Sequence, residues 1–232
     1  MFITFEGIDC CGKSTQARML GERLRNAGRT VLELREPGNT RLSEHIREVV
    51  LSKEFTEINE RTELLLFAAS RAQLVAEVIL PALAEERAVI CDRFSDSTIA
   101  YQGYGRQLPL EDIEHINRIA TQDLVPDMTF CIDISPELAF QRCRDRFDLI
   151  RDRMEESGVR FYERVINGYM AIADNERGRF FIIDGSLSPE EVHATIWRLV
   201  SERLPSFANG TGPEIDASRI ADEILAEQEN LS

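Results

Sequence analysis

The sequence predicts an α/β fold, a five-stranded parallel sheet with helices on both faces. Two observations support this prediction. Short apolar runs alternate along the chain with longer stretches in which apolar residues recur at helical spacing. Strands that alternate with helices form parallel sheets, because each helix returns the chain to the edge where the next strand begins. In addition, a glycine-rich loop directly follows the first apolar run.

Five runs are predicted to be strands, because they are short, mostly apolar and rich in β-branched or aromatic side chains. Strands that helices cover on both faces are expected to have this composition rather than a strict polar–apolar alternation. The five runs are residues 2–6, 30–34, 88–92, 128–134 and 179–184.

The first helix is predicted over residues 13–27, where Ala17, Leu20 and Leu24 recur on one face. Gly28 follows and can supply the left-handed backbone that ends many helices. Six further stretches have helical patterns. They are residues 41–51, 60–86, 110–122, 136–146, 155–175 and 189–203.

The loop between the first strand and the first helix fits the pattern G-x-x-x-x-G-K-[ST]. Its backbone N–H groups can surround a phosphate at the positive end of the helix dipole. Lys13 can reach β- and γ-phosphates, and the Ser14 hydroxyl can ligate Mg²⁺. Because a buried strand and an amphipathic helix flank the loop, a nucleoside triphosphate site is favoured over a chance turn. Its residues are Gly7, Ile8, Asp9, Cys10, Cys11, Gly12, Lys13, Ser14 and Thr15.

Composition limits the class of protein and its partners. A net charge of −14 argues against nucleic acid or an anionic membrane as the main partner. No run approaches the roughly 20 apolar residues of a membrane span, and the N-terminus lacks the pattern of a signal peptide. Five cysteines make an odd count without a CxxC pair. We therefore expect a reduced cytoplasmic enzyme with neither a disulfide framework nor a zinc site.

Polar residues follow two of the predicted strands, at the carboxyl ends where parallel α/β proteins bind ligands. Residues 35–40 (Arg-Glu-Pro-Gly-Asn-Thr) follow the second strand, although a simple Pro-Gly turn is an alternative interpretation. Asp92 ends the third strand and resembles the acid that phosphate-loop enzymes use for Mg²⁺, here through water. Arg93, beside it, can hold a phosphate with two hydrogen bonds.

Two further segments suggest substrate recognition. Phe67 and Arg71 are four residues apart on a predicted helix and so share a face, where they could stack on a base and bind its edge. The alternative is a core phenylalanine beside a solvated arginine. Residues 144–156 are dense in charge and predict a mobile lid, or else a solvated charged helix. The arginines of this segment are Arg144, Arg146, Arg151 and Arg153.

The C-terminal residues differ in composition from the rest of the chain. Residues 205–213 resemble a linker, and residues 214–230 are acidic with a thin apolar stripe. A short amphipathic helix and a disordered tail are both compatible with this pattern. We favour a loosely docked or disordered tail, because four aliphatic side chains bury little area. We therefore expect one domain over residues 1–204 and a tail over residues 205–232.

Taken in order, the motifs resemble those of the thymidylate kinase family, which phosphorylates dTMP with ATP. They are FEGID-x-x-GKSTQ, REPG-x-T, the LFAASR helix segment, DRFSDSTIAYQGYGR and the DR-x-E of the lid. The match runs from Met1 to about Leu204, and DRFSDSTIAYQGYGR is its most diagnostic part. The resemblance implies a phosphate-loop nucleotide kinase that uses Mg²⁺, acts in dTTP biosynthesis and forms a homodimer.

The resemblance also implies roles around dTMP. Asp9 would accept a hydrogen bond from the deoxyribose 3′-OH, Phe67 would stack on thymine and Arg71 would bind near the edge of the base. Arg93 would bridge the two phosphoryl groups. The other contacts would be Arg35 and Pro37 at the monophosphate, Thr98 and Gln102 along the nucleoside, and Tyr101 against a ribose 2′-OH.

The family is described in two styles, with an arginine either in the phosphate loop or in the lid. The interior of this loop offers Asp9, Cys10 and Cys11, so the chain is similar to the lid-arginine, mostly bacterial style. Arg153 aligns with the arginine of the lid motif, and Arg151 is the next candidate. The catalytic residues implied are Lys13, Arg93 and Arg153.

Three departures from the family pattern are small enough to keep the site. Cys10 and Cys11 replace the usual Gly-Ala, Asn39 stands where a second glycine is common, and Ser70 replaces an alanine. Adjacent thiols at a helix N-terminus, next to Lys13, should have lowered pKa values. We therefore expect an oxidant or thiol reagent to inactivate the enzyme by filling the space for the β-phosphate.

Two alternatives remain at this stage. A deoxynucleoside kinase or an adenylate kinase would share the loop and the lid, but the run AYQG-x-GR argues against them. A phosphate-loop GTPase switch would need no second substrate, and it should carry an Asn/Thr-Lys-x-Asp motif that this sequence lacks.

Overall fold

The five predicted strands form one parallel sheet in the order β2-β3-β1-β4-β5. The computed structural model describes residues 1–145, 153 and 158–204. The predicted α/β fold class is confirmed, and each strand lies within one residue of its predicted limits. The strands are β1 (Phe2–Glu6), β2 (Val31–Arg35), β3 (Ala88–Asp92), β4 (Met128–Asp133) and β5 (Phe180–Asp184).

The helices follow the predicted stretches closely. The stretch predicted over residues 60–86 begins as α3, passes through a π-helical turn at Val75–Ile79 and ends with α4. The helices are α1 (Lys13–Asn26), α2 (Arg41–Leu51), α3 (Glu60–Leu74), α4 (Leu80–Ala84), α5 (Ser95–Thr98), α6 (Leu110–Thr121), α7 (Pro136–Asp145), α8 (Val159–Asn175) and α9 (Pro189–Arg203).

One helical region was missed by the sequence analysis. The short helix α5 continues into a π-helical segment, Ile99–Gly105. Its polar start and its glycines gave no apolar periodicity. Gly105 lies so close to Phe161 of α8 that a Cβ atom would come within 2.6 Å of the ring. Close packing, rather than a turn, therefore explains this glycine.

Some predictions concern residues outside the described ranges. Within the predicted lid, only Arg144, the backbone of Asp145 and Arg153 are described. The lid as a unit, Arg146 and Arg151 therefore stay predictions. The linker and acidic tail, residues 205–232, also lie outside the described ranges, so the division at residue 204 is untested.

Side chains from alternate positions of β1 pack into two hydrophobic clusters. Ile3 and Phe5 belong to a cluster that includes side chains of α1, α8 and α9. Phe2 belongs to another cluster, with Val75 and Ile79 from the π-helical turn after α3. This burial on both faces explains why β1 is apolar throughout instead of alternating with polar residues.

One helical run in the described part of the chain, Glu60–Ala84, is long and apolar enough to cross a membrane by length and composition. In this structure its first part, α3, packs against α2 and α6. Leu64, Leu74 and Ile79 of the run are buried. Core helices pass the same test of length and composition, and we interpret this run as a core helix.

A buried carboxylate at the end of β1 joins the sheet to the helical region after β3. Glu6 accepts hydrogen bonds from the Phe94 N–H at 2.8 Å and from the hydroxyls of Ser97 at 2.5 Å and Tyr169 at 2.8 Å. Burial, together with the nearby charge of Asp96, raises the pKa of Glu6 to about 7. The folded protein therefore keeps a proton at pH values where the unfolded chain has lost it.

Replacing Glu6 by Gln should change how stability depends on pH. An acid whose pKa rises on folding stabilises the folded state below its unfolded pKa, and this contribution is lost as the pH rises through the folded pKa. From about pH 5 to about pH 8, the free energy of unfolding of the wild type should fall by roughly 2–3 kcal/mol relative to Glu6→Gln. Urea unfolding across this range measures the difference. If the difference does not change with pH, Glu6 is not protonated in the folded protein.

Candidate active site

The glycine-rich loop lies against the end of β4 and leads into α1. Gly7 has a φ of +127°, and a Cβ atom there would lie 2.5 Å from the Ile132 carbonyl oxygen, so only glycine fits. Gly12 is the N-cap of α1, with a φ of +110°, and it makes no side-chain cap. The first N–H groups of α1 can therefore bind an anion.

Lys13 lies under this loop, with only 7% of its surface exposed. Its Nζ donates to the Ile8 carbonyl oxygen at 2.8 Å and lies 3.6 Å from the Sγ of Cys11. A cavity of about 350 Å³ adjoins the loop, and its lining includes residues 10–16 and Arg142 of α7. We call it the loop cavity. A cation and a helix N-terminus thus border one cavity, as a polyphosphate site requires.

The two predicted magnesium ligands, Ser14 and Asp92, are neighbours. The Ser14 hydroxyl donates a hydrogen bond to the Asp92 carboxylate. Asp92 ends β3, which pairs with β1 and thereby lies next to the loop. Hydroxyl and carboxylate oxygens beside a phosphate site fit Mg²⁺, which usually takes one or two protein oxygens and completes its shell with phosphate and water.

An ion pair joins the loop to the end of β3. An Nη atom of Arg93 lies 2.6 Å from the Asp9 carboxylate, and the other donates to the Gly7 carbonyl oxygen at 3.0 Å. Arg93 has a φ of 73°, and non-glycine residues with strained backbones of this kind cluster at functional sites. Its guanidinium also lies 4.8 Å from the centre of the Tyr101 ring.

Two phenol hydroxyls also contact Asp9. Tyr162 donates to its carboxylate at 3.0 Å and Tyr101 at 3.4 Å. Burial opposes the charge of Asp9, but the charges of Arg93 and Lys13 outweigh burial and hold the pKa of Asp9 below its usual value. Asp9 is therefore an anion that fixes the position of Arg93.

A second cavity, of about 110 Å³, is lined by Asp9 and Arg93 themselves. We call it the acceptor cavity. Phe67 and Arg71 both line it, so these two residues of α3 do share one face and one site. The predicted substrate residues brought together here are Asp9, Pro37, Phe67, Arg71, Arg93, Thr98, Tyr101 and Gln102.

Arg71 is a buried residue, so its interpretation as a solvated arginine is wrong. It is 2% exposed, and its Nε lies 2.7 Å from the carboxylate of Glu36. Its Nη1 donates to Thr98 and to Asn117, each at 2.9 Å. Burial raises the pKa of Glu36 to about 7, although Arg71 opposes that shift.

Arg35 is the predicted substrate residue that does not line the acceptor cavity. Its guanidinium lies 3.1 Å from the Glu44 carboxylate and 3.0 Å from the Pro37 carbonyl oxygen. Arg35 therefore holds the turn after β2. Arg47 of α2 lines the acceptor cavity instead, and it also donates to the Pro37 carbonyl oxygen at 3.0 Å.

Arg153, the predicted lid arginine, is paired with the buried carboxylate of Glu63. An Nη atom of Arg153 lies 2.7 Å from Glu63, which is 1% exposed, and Arg106 lies 3.1 Å from the same oxygen. Gln102 of the acceptor cavity donates to the other oxygen at 2.9 Å. Burial opposes the charge of Glu63, but hydrogen bonds and charge from these partners outweigh burial and lower its pKa.

Besides Arg47, the sequence analysis missed three residues of the site, and no motif marks them. Tyr162 lies 153 positions from Asp9, and an aromatic residue in a helical pattern predicts only a core side chain. Arg142 is one of several arginines near the end of α7. Glu63 did carry a signal, since a carboxylate on the apolar side of a helix requires a buried partner.

The cysteines differ from the prediction in two ways. Cys10 forms a disulfide with Cys143 of α7, so the expectation that the chain has no disulfide was wrong. Cys11 is buried, and burial raises the pKa of its thiol instead of lowering it. The odd cysteine count excludes complete pairing but does not exclude one pair. The free cysteines are Cys11, Cys91 and Cys131.

Together, these features define a class of enzyme. A phosphate-binding loop borders the loop cavity, and an aspartate from the same loop borders the acceptor cavity. A site for a nucleoside triphosphate beside a site for a second, monophosphate substrate is the arrangement of a P-loop nucleoside monophosphate kinase. A nucleotide-dependent switch has no use for the acceptor cavity.

Comparison with known proteins identifies the family. The family model for thymidylate kinase matches residues 5–196, and the chain belongs to this family. The thymidylate kinase of Prosthecochloris aestuarii is 50% identical over 214 residues, which cover 89% of this chain and 96% of that protein. The thymidylate kinase of Chlorobaculum tepidum is 51% identical over 203 residues, or 84% and 94% of the two chains.

A solved structure agrees with the sequence comparison. The crystal structure of thymidylate kinase from Ehrlichia chaffeensis matches with a TM-score of 0.72 and 34% identity. The match covers 86% of this chain and 98% of the other. The phosphate-loop kinase fold and the family predicted from the motifs are therefore confirmed.

Proposed function

We propose that this chain transfers the γ-phosphoryl group of ATP to dTMP, giving dTDP and ADP, in cytoplasmic dTTP biosynthesis. The observation that best supports this proposal is the Asp9–Arg93 ion pair. Asp9 and Arg93 line the acceptor cavity, whereas Cys10, the next loop residue, lines the loop cavity. A donor in the loop cavity and an acceptor in the acceptor cavity would meet at Arg93. The activity of the family to which the chain belongs agrees with this assignment.

Phosphoryl transfer requires in-line positioning and positive charge around the transferring group. Lys13 and the N–H groups at the start of α1 would contact the ATP phosphates, and Arg93 would contact both phosphoryl groups. The acceptor is already a phosphate anion, so no general base is needed.

Mg²⁺ would be held by the Ser14 hydroxyl and, through water, by Asp92. These two side chains are hydrogen-bonded to each other beside the loop. When bound there, Mg²⁺ would supply positive charge that offsets the charge of the phosphate groups.

On the dTMP side, Phe67 would stack on thymine and Arg71 would bind near the edge of the base. Thr98 and Gln102 would line the nucleoside, and Tyr101 would crowd the 2′ position of a ribose. The hydrogen bonds of Arg71 to Glu36 and Thr98 support this assignment, because they fix the guanidinium before substrate binds.

Arg153 would be the catalytic arginine of the lid, as in the lid-arginine style of the family. Its partner Glu63 also binds Gln102 of the acceptor cavity. The lid arginine is thereby linked to the dTMP site by one buried carboxylate.

A panel of nucleoside monophosphates tests the proposed reaction. We expect dTMP to be preferred over dUMP only modestly, because one methyl group in an apolar pocket contributes roughly 1–3 kcal/mol. Purine monophosphates should react far more slowly, because Phe67 and Arg71 frame a single-ring base. Coupled ADP release with ATP and dTMP, dUMP, dCMP, AMP or GMP measures kcat/KM. Turnover of AMP comparable to that of dTMP would refute the proposal.

Replacing Lys13 tests whether the glycine-rich loop takes part in catalysis. Lys13→Ala should lower kcat by about 100-fold or more, as expected for loss of one preorganised charged donor. Lys53→Ala is the matched control, since Lys53 lines neither cavity, and it should keep near-normal kcat. A near-normal kcat for Lys13→Ala would show that the loop is not catalytic.

The same assay tests whether Arg153 acts in catalysis or in the binding of dTMP. Arg153→Lys keeps the charge but loses the planar fork, so kcat should fall while the affinity for dTMP is nearly unchanged. A change in dTMP affinity alone would instead assign Arg153 to substrate binding.

We propose that the protein is a homodimer joined through α3 and α6. Leu65 of α3 is 55% exposed and Ile119 of α6 is 79% exposed, and Leu65 and Ile116 line one surface groove. Exposed apolar surface of this kind is typical of interaction sites. Ile119→Asp should convert a dimer to a monomer in sedimentation velocity, whereas Val159→Asp, at a 44% exposed position on α8, should not. A monomeric wild type would exclude the dimer.

A further inference from the structure

A covalent bond joins two walls of the loop cavity. Cys10 belongs to the phosphate-binding loop and Cys143 to the last turns of α7, and their Cα atoms lie 5.6 Å apart although 133 positions separate them in sequence. Cys10 and Arg142, the residue before Cys143, both line the loop cavity. The bond therefore sets the distance between the loop and α7.

Arg142 of α7 makes one hydrogen bond to the loop and one to the residue that follows β5. The Nη1 of Arg142 donates to the Cys11 carbonyl oxygen at 3.4 Å, and its Nη2 donates to the Gly185 carbonyl oxygen at 3.0 Å. After reduction of the disulfide, the hydrogen bond to Cys11 would keep the two thiols near each other, but unlike a covalent bond it can break when the walls separate. The two thiols would then remain close enough to pair again.

The other cysteines do not compete with this pair. Cys11, Cys91 and Cys131 are at most 2% exposed, and burial raises the pKa of each of these thiols. Thiol–disulfide exchange requires an accessible thiolate. Cys10 and Cys143 are only partly buried, so they are the cysteines that a reagent in solution can reach.

We propose that Cys10 and Cys143 form a reversible redox-modification site that controls nucleotide exchange at the loop cavity, with a low-molecular-weight disulfide as oxidant. The thiolate of one cysteine attacks the reagent disulfide, forms a mixed disulfide and displaces one reagent thiolate. The second cysteine thiolate then attacks the protein sulfur and displaces the other reagent thiolate. Two cysteine thiols are oxidised, the reagent is reduced to two thiols, and the protons of the cysteines pass to those thiols. A dithiol reverses the reaction.

The expected effect on nucleotide exchange follows from the position of the disulfide. It rests on the proposed function, because it requires that ATP occupies the loop cavity. A bond between the loop and α7 prevents these walls from separating, so nucleotide entry and release should both be slower in the oxidised protein. The acceptor cavity is lined by neither Cys10 nor Cys143. Binding of dTMP should therefore be unchanged.

The test uses the full chain, treated with oxidised glutathione and then with dithiothreitol. Peptide mapping by mass spectrometry should find Cys10 linked to Cys143 after oxidation. Stopped-flow rates for a fluorescent ATP analogue should be about tenfold slower in the oxidised protein, the effect of a barrier about 1.4 kcal/mol higher. Without oxidant, Cys143→Ser should show the fast rates, and with oxidant it should carry a glutathione adduct on Cys10 instead of the linked peptide. Cys91→Ala, which changes a buried thiol, should respond like the wild type.

Separate glutathione adducts without a linked peptide would overturn the proposal. So would a linked protein with the exchange rates of the reduced protein. If Cys143→Ser does not fold, Cys143→Ala provides a second variant. The peptide mapping of the wild-type protein does not depend on either variant. A reduced protein that binds the ATP analogue but does not phosphorylate dTMP would refute the proposed function, whereas the exchange rates would still decide the redox site.

Discussion

The pairing of β1 with β3 is the constraint on which the site depends. Phe5 lies opposite Asp92 in this ladder, and the Arg93 N–H donates to the Phe5 carbonyl oxygen at 2.9 Å. Because the strands are parallel, their carboxyl ends meet at one edge of the sheet. The loop that leaves β1 and the acid and arginine that end β3 are thereby brought together. Asp9 could not reach Arg93, nor Ser14 reach Asp92, if another strand lay between.

Buried carboxylates extend this arrangement into the helices. Glu6 binds the region after β3, Glu36 binds Arg71 and Glu63 binds Arg153. A buried charge is costly unless it is paired and hydrogen-bonded. Glu36 and Glu63 therefore restrict their arginines to one position each, and preorganised cations are what phosphoryl transfer and base recognition require. The acids act by positioning other groups.

Elements with a strong local pattern could be predicted from the sequence. The strands and most helices have continuous or periodic apolar residues, so their limits were nearly correct. The helical region Ser95 to Gly105 was missed, because its polar residues and glycines serve the site and close packing rather than a periodic core. Most predicted substrate residues do line one cavity, because they come from motifs whose order fixes their place at the sheet edge. Arg35 lies outside the lining of that cavity, since sequence position alone does not show which way a side chain extends, and its role at the monophosphate stays a prediction.

The sequence by itself determined the strand–loop–helix unit, because its strand, its glycines and its helix are contiguous and their backbone conformations are local. It also determined the order of elements that makes the sheet parallel. The partners of Cys10 and Arg153 were decided only by the tertiary structure. Cys143 lies 133 positions from Cys10, and Glu63 and Arg153 lie on different elements. No local pattern encodes such distances, which depend on how α7 and α3 pack once the sheet has formed.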